Sequence, residues 1–253
     1  MERLADDFWN IRGDFRILHV INVGTQMSLA RRPSGTFVLL DAYEPDKADQ
    51  DELLALTDGG SRIEAVLNLH PFHTVHCAFV QQWLPHARLI GTHRHHQQLP
   101  NLQWDPALIE DATTQHQFAD AFDFSIPSGV DFISDDEDVH VGSVIARHSA
   151  SGSVHSDDTL NVLDLPSLFQ KAVPGPKLRF HPRLAEGLEK RAGAAADYIC
   201  WATDLARGWA DTKIICAAHN GILKLTDETF VKAIENALEY ASDTLDQHRE
   251  TYG

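Results

Sequence analysis

Short apolar runs broken by Gly and Pro dominate the first 45 positions: Phe15-Arg16-Ile17, then Gln26 to Ala30, then Thr36 to Ala42 (T-F-V-L-L-D-A). Such spacing predicts strands joined by turns. A short helix is expected over Asp46 to Leu56, closed by Gly59-Gly60, then a strand over Ile63 to Leu69, a helix over His76 to Trp83 and a strand over Ala87 to Thr92. From 93 to 138 the sequence is polar and weakly periodic and reads as a long surface excursion. Val139 to Arg147 predicts a strand ending at His148, and Ser153 to Ser156 and Thr159 to Leu163 predict short strands flanking Asp157-Asp158. Apolar residues recur at helical spacing from Leu184 to Leu205, as in one long amphipathic helix. Lys213 to Ala218 reads as a strand ending in His219. Thr226 reads as the cap of a last helix with Asp227 and Glu228 in its first turn and an apolar face from Phe230 to Leu245. Two β-rich halves, each followed by helices, predict an α/β sandwich with helices outside, as a single domain over 1–253.

Composition narrows the function. A formal charge of -16 argues against nucleic acid or an anionic membrane as the main partner and leaves a small-molecule substrate, with a homo-oligomer compatible. The acidic stretches Glu44 to Glu52 and Asp135 to Asp138 read as solvated faces. Cys77, Cys200 and Cys216 are widely spaced, lack a C-x-x-C, and read as buried small side chains rather than a disulfide framework or cysteine-rich metal site. The N-terminus lacks a cationic start followed by an apolar core, and no run approaches the ~18 apolar residues of a membrane span, so a cytoplasmic protein is expected.

Fifteen histidines are the anomaly, about two to three times ordinary usage. Val66 to His76 (V-L-N-L-H-P-F-H-T-V-H) is an apolar run that stops at His70, with His73 and His76 at three-residue steps. Open α/β sheets place their sites beyond strand ends, where neutral imidazole is a common ligand of Zn, Fe or Mn. His148 and His219 likewise follow apolar runs, and Asp158 follows Ser153 to Ser156. These addresses predict one shared metal centre. The cluster Thr92-His93-Arg94-His95-His96 reads as an exposed polar loop. No G-x-S-x-G, Gly-rich phosphate loop or dinucleotide fingerprint competes.

The order of these motifs resembles the metallo-β-lactamase-fold superfamily, from about residue 15 to residue 222. T-F-V-L-L-D-A, through Asp41, is similar to the family strand that ends in Asp. His70-Pro-Phe-His73-Thr-Val-His76 stands in place of H-x-H-x-D-H. Arg147-His148-Ser149 resembles Gly-His-Ser/Thr, Asp158 (or Asp157) the bridging Asp, and I-I-C-A-A-H, through His219, the final ligand strand. Pro71, His76, Trp83, Pro85-His86-Ala87, His148, Ser151 and Asp158 are similar to an uncharacterised branch of the superfamily. The resemblance implies a four-layer αββα sandwich and one or two ions, Zn or else Fe or Mn. The implied ligands are His70, His73, His76, His148, Asp158 and His219. It also implies a metal-dependent hydrolase of an ester, lactone, amide or phosphoester, with activated water as nucleophile and Asp158 or Asp157 as the catalytic carboxylate. The alternatives are a degenerate, non-catalytic binding member or a mononuclear iron oxidoreductase. The chain departs from the pattern where Val75 replaces the Asp that serves the second metal, and where taking His70 as first ligand needs a one-residue insertion.

Overall fold

A computed structural model describes residues 1–14, 16–17, 21–22, 24–163, 175–218 and 221–253. The chain divides into two compact units, Met1–Phe124 with Ala146–His155 and Ser125–Ile145 with Ser156–Gly253. The mixed α/β class expected from the sequence is the observed one. Among the described residues no helix is long and apolar enough to cross a membrane.

The first unit is built on a seven-stranded sheet in the order β1-β2-β5-β6-β7-β8-β9. Its strands are β1 (Glu2–Ala5), β2 (Phe8–Gly13), β5 (Thr25–Arg31), β6 (Phe37–Leu40), β7 (Ile63–Leu67), β8 (Arg88–Gly91) and β9 (Trp104–Leu108). From β1 to β6 neighbours are antiparallel, and from β6 to β9 they are parallel. Parallel neighbours need crossovers, supplied by α1 (Lys47–Leu56), α2 (Cys77–Trp83) and α3 (His93–Gln98). Asp46 starts α1, its carboxylate accepting the Asp49 N–H at 2.9 Å. Because side chains alternate across a strand, Trp9, Ile11, Met27, Leu29, Phe37 and Leu39 share one face and pack with Leu53 of α1 and Val80 of α2. The other face carries Phe8, Ala30, Val38 and Leu40, and among them the buried polar residues Asn10, Gln26 and Ser28. The two-residue strands β3 (Arg16–Ile17) and β4 (Ile21–Asn22) pair separately.

The predicted surface excursion is instead structured. Besides α3 and β9 it holds α4 (Ala112–His116) and β10 (Phe122–Ser125). Strands β1 and β2 were not legible either, because Phe8, Trp9, Asn10 and Ile11 are all buried and no alternation marks a face. Of the predicted strand Val139 to Arg147, only β11 (Ile145–His148) forms; it pairs with β12 (Ser153–Ser156) as an antiparallel hairpin, Ala146 opposite His155 and His148 opposite Ser153.

The second unit contains the pair β13 (Leu160–Val162) and β14 (Leu178–Phe180) and the hairpin β15 (Ile214–Ala217) and β16 (Gly221–Lys224). The expected long helix is two, α5 (Leu184–Gly187) and α6 (Ala194–Gly208). Leu188 is already extended (ψ 134°) and Gly193 is left-handed (φ 85°), so the apolar periodicity continues while the backbone does not. The last helix also breaks, at Ala241, into α7 (Phe230–Tyr240) and α8 (Ser242–Tyr252). Its cap is Thr229, which accepts the Lys232 N–H, rather than Thr226, so Asp227 and Glu228 precede the helix. Cys77 and Cys216 are buried as expected; Cys200, on the outer face of α6, is exposed.

Candidate metal centre

At the carboxyl edge of the parallel strands of the first unit, the chain leaves β6 through Asp41 in a left-handed conformation (φ 59°). Asp tolerates this region better than most residues with a Cβ. The carboxylate turns toward the end of β7: Oδ1 accepts the Leu69 N–H at 2.7 Å and the His70 N–H at 3.4 Å. Its other oxygen lies 3.0 Å from His155 Nε2. Asp41 thereby fixes where the histidine loop begins.

Within that loop the His73 N–H bonds to the His70 carbonyl at 3.1 Å, folding the chain into a turn. The turn brings the two rings together, with centroids 4.0 Å apart. One donor atom of each lies within 4.8 Å of the other. His70 is fully buried and His73 half-buried. The pair has the chemistry and spacing of two imidazole ligands on one ion. Phe72 N–H donates to His70 Nδ1 at 3.2 Å, so coordination through Nε2 requires the ring proton to move to Nδ1 and that bond to be given up, and coordination through Nδ1 displaces it directly.

His76 goes elsewhere. It is the N-cap residue of α2, half-buried, its ring edge-on to Tyr43 at 5.3 Å. Burial lowers its pKa, partly offset by Glu44. Val75 is 73% exposed.

His148 is buried too, but at the opposite edge of the sheet. The β11–β12 hairpin turns there, and His148 meets the Ser151 hydroxyl through Nδ1 (2.9 Å) and the Arg31 carbonyl through Nε2 (3.2 Å). Arg31 pairs with Phe37, the first residue of β6, so this is the edge where the parallel strands begin. A half-open hollow of about 420 Å³ lies beside it, bounded by Asp7, Arg31, Arg32, Asp120 and His148. Burial lowers the His148 pKa. His148 is therefore not brought to His70 and His73, whereas His155, seven residues later on the returning strand, reaches Asp41. Position on a hairpin, not the end of an apolar run, decides which histidine arrives, and the available signal was the Gly152 turn followed by a second polar strand end.

The expected exposed loop at 92–96 is a brace buried at Thr92, Arg94 and His95, with His93 exposed as expected. Thr92 caps α3 reciprocally with His95. His95 Nδ1 accepts the Thr92 N–H at 3.1 Å, which leaves Nε2–H to donate to the His73 carbonyl at 3.3 Å. Burial holds the His95 pKa down at about 3. Arg94 donates to the Pro71 carbonyl at 3.2 Å and lies over the Phe72 ring at 4.1 Å. Gly91 makes room for this brace, since a Cβ there would sit 2.8 Å from His95 Cβ.

In the second unit Asp157 and Asp158 are both buried. On an extended segment the two neighbouring side chains would point to opposite sides. Asp158 is instead left-handed (φ 63°) and lies beyond β12, so strand alternation does not govern it. The turn is pinned by Thr159, whose hydroxyl meets Ser143 Oγ (2.9 Å) and donates to the Val141 carbonyl (3.0 Å), and by the Leu160 N–H to Ser156 Oγ (3.1 Å). Asp158 Oδ2 is 3.9 Å from His140 Nε2, and the His140 and His181 rings are 6.4 Å apart. His219 lies outside the described residues.

No family model and no curated protein matches the sequence. Solved structures do. A metallo-β-lactamase from Erythrobacter litoralis is 15% identical, with a TM-score of 0.61, covering 96% of this chain and 95% of its own. Those from Hirschia baltica (11% identical, TM-score 0.58, 94% and 95%) and Pontibacter korlensis (8% identical, TM-score 0.57, 96% and 98%) are similar over the same extent. With its Asp-terminated β6, its histidine loop after β7 and this agreement along nearly the whole length, the chain has the metallo-β-lactamase fold.

Proposed function

We propose that the protein is a metal-dependent hydrolase whose ion is held first by His70 and His73. The observation that carries this is the close pairing of the two imidazoles at the carboxyl edge of a parallel sheet. Asp158 is the proposed carboxylate ligand, on the order of motifs, with Asp157 as the alternative. An ion so held would supply Lewis acidity and would lower the pKa of a bound water towards about 7. In this scheme His70 and His73 bind, Asp41 and His95 hold the loop that carries them, and Asp158 or Asp157 receives the proton of the attacking water. Zn suits this donor set, with Fe or Mn as alternatives. The substrate class is an ester, lactone, amide (β-lactams included) or phosphoester, and the proposed location is the cytoplasm. His219 stays in the proposed ligand set by resemblance, whereas His148, at the opposite edge of the sheet, and His76, turned to Tyr43, are left out of it.

Elemental analysis of purified wild type, His70→Ala and His73→Ala tests the reading, followed by turnover of a panel of the four bond types. Metal should be present in the wild type and drop in both variants. Unchanged content in both would sink the site. Val75, apolar and exposed where the family carries an Asp, favours the second reading, a binding member without turnover; bound metal with no hydrolysis of any panel member would select it.

A further inference from the structure

Four buried polar side chains form a file from the β2–β5 pair to the end of β6: Asn10, Ser28, His155 of β12, and Asp41. Asn10 and Ser28 are cross-strand partners on β2 and β5. Asn10 Nδ2 is oriented by the Gln26 Oε1 (3.1 Å) and Met27 carbonyl (3.4 Å) acceptors, and it donates to Ser28 Oγ at 2.9 Å. Asp41 Oδ2, an acceptor, faces His155 Nε2 and so puts the neutral ring's proton there, which leaves Nδ1 to accept from the Ser28 hydroxyl at 2.9 Å. Nε2–H then donates to Asp41 Oδ2 (3.0 Å), and Asp41 Oδ1 accepts the Leu69 and His70 N–H groups. The donors run from Asn10 through Ser28 and His155 toward Asp41, and the Leu69 and His70 N–H groups meet that carboxylate from the other side.

Buried polar groups cost free energy unless satisfied, and a satisfied chain of them fixes one geometry. Groups behind a metal ligand tune affinity by 10–100-fold when removed. We infer that His155, hydrogen-bonded on one side to Ser28 and on the other to Asp41, is a positioning residue that sets the His70 imidazole for metal through Asp41. The inference rests on the metal reading above and deepens it.

Zinc titration of the full chain against a chromophoric chelator tests it, with His155→Leu, His155→Gln, Ser28→Ala and His70→Ala. His155→Leu removes the donor to Asp41 and should weaken zinc binding about tenfold or more at unchanged stoichiometry. His155→Gln restores an N–H donor and should recover most of the affinity, which a merely space-filling role would not give. Ser28→Ala deletes one hydroxyl remote from the loop, should fold, and should weaken binding several-fold; it carries the test if His155→Leu does not fold. Wild-type affinity in Ser28→Ala and His155→Leu overturns the inference, and so does the loss of one whole zinc equivalent in His155→Leu, which would make His155 a ligand. If His70→Ala abolishes tight binding while the other variants bind normally, the positioning role fails and the metal reading stands. Normal binding by His70→Ala overturns both.

Discussion

Two buried histidines sit at opposite ends of one hairpin and do different work. His148, beside the turn, is tied to a backbone carbonyl and a serine next to an open hollow. His155, at the open end, is tied to a buried carboxylate that grips the histidine loop. Both are buried and both belong to short polar strands, so neither burial nor residue type separates them. The edge of the sheet does. At the edge where parallel strands begin, backbone carbonyls and surface ion pairs such as Arg31 with Asp7 are what a side chain meets. At the edge where they end, loops converge and polar side chains are paired inside the fold.

The largest blow to this difference should be Asp41→Ala. It strips two backbone N–H groups and the His155 donor of their acceptor in a buried setting, so a loss of roughly 3 kcal/mol or more is expected in urea unfolding. A loss below about 1 kcal/mol would mean the carboxyl edge is no more tightly organised than the other.

Acid should act at the same edge. His95 titrates near 3 in the fold against an ordinary 6.5 in the unfolded chain, so between those values the unfolded chain binds the extra proton. Its contribution is complete above about pH 6.5 and is lost as pH falls, by about 2–3 kcal/mol at pH 4.5. His148, also lowered by burial, adds in the same direction. His95→Gln, which keeps an N–H for the His73 carbonyl, should flatten the fall in stability between pH 6.5 and 4.5. An unchanged slope would place the acid sensitivity elsewhere.

Ser151→Ala removes one hydrogen bond from His148 and should cost about 1 kcal/mol with no change in zinc affinity. A fall in zinc affinity would tie the turn end of the hairpin to the metal after all. The smallest effect is expected from Val75→Asp. That position faces solvent, so stability should move by less than about 0.5 kcal/mol and zinc stoichiometry should not change. A second equivalent of zinc in this variant would show that the loop tip turns inward when metal binds.

Much of the first unit was legible. T-F-V-L-L-D, the Asp46-capped helix and V-L-N-L-H announce a parallel βαβ unit with chemistry at its carboxyl end, because period, caps and strand ends are local properties of the chain. Their order also pointed to the fold that the solved structures share. The buried brace of Arg94 and His95 was not legible, since T-H-R-H-H has the composition of a surface loop and only packing against the 70–76 turn buries it. Helix breaks at Leu188 to Gly193 and at Ala241 were hidden for a related reason: apolar periodicity reports which face is covered, not whether the backbone is continuous.

The sequence by itself determined that histidines would gather after β7, that Asp41 would end β6, and that the chain would be a mixed α/β fold. Only the tertiary structure decided that His155 rather than His148 would meet Asp41, and that His76 would turn to Tyr43. The physical reason is that a strand end marks a place along the chain, while membership of a site depends on direction across the sheet. An antiparallel hairpin reverses that direction within a few residues, and nothing in the apolar pattern of β11 and β12 records which end faces the ligand loop.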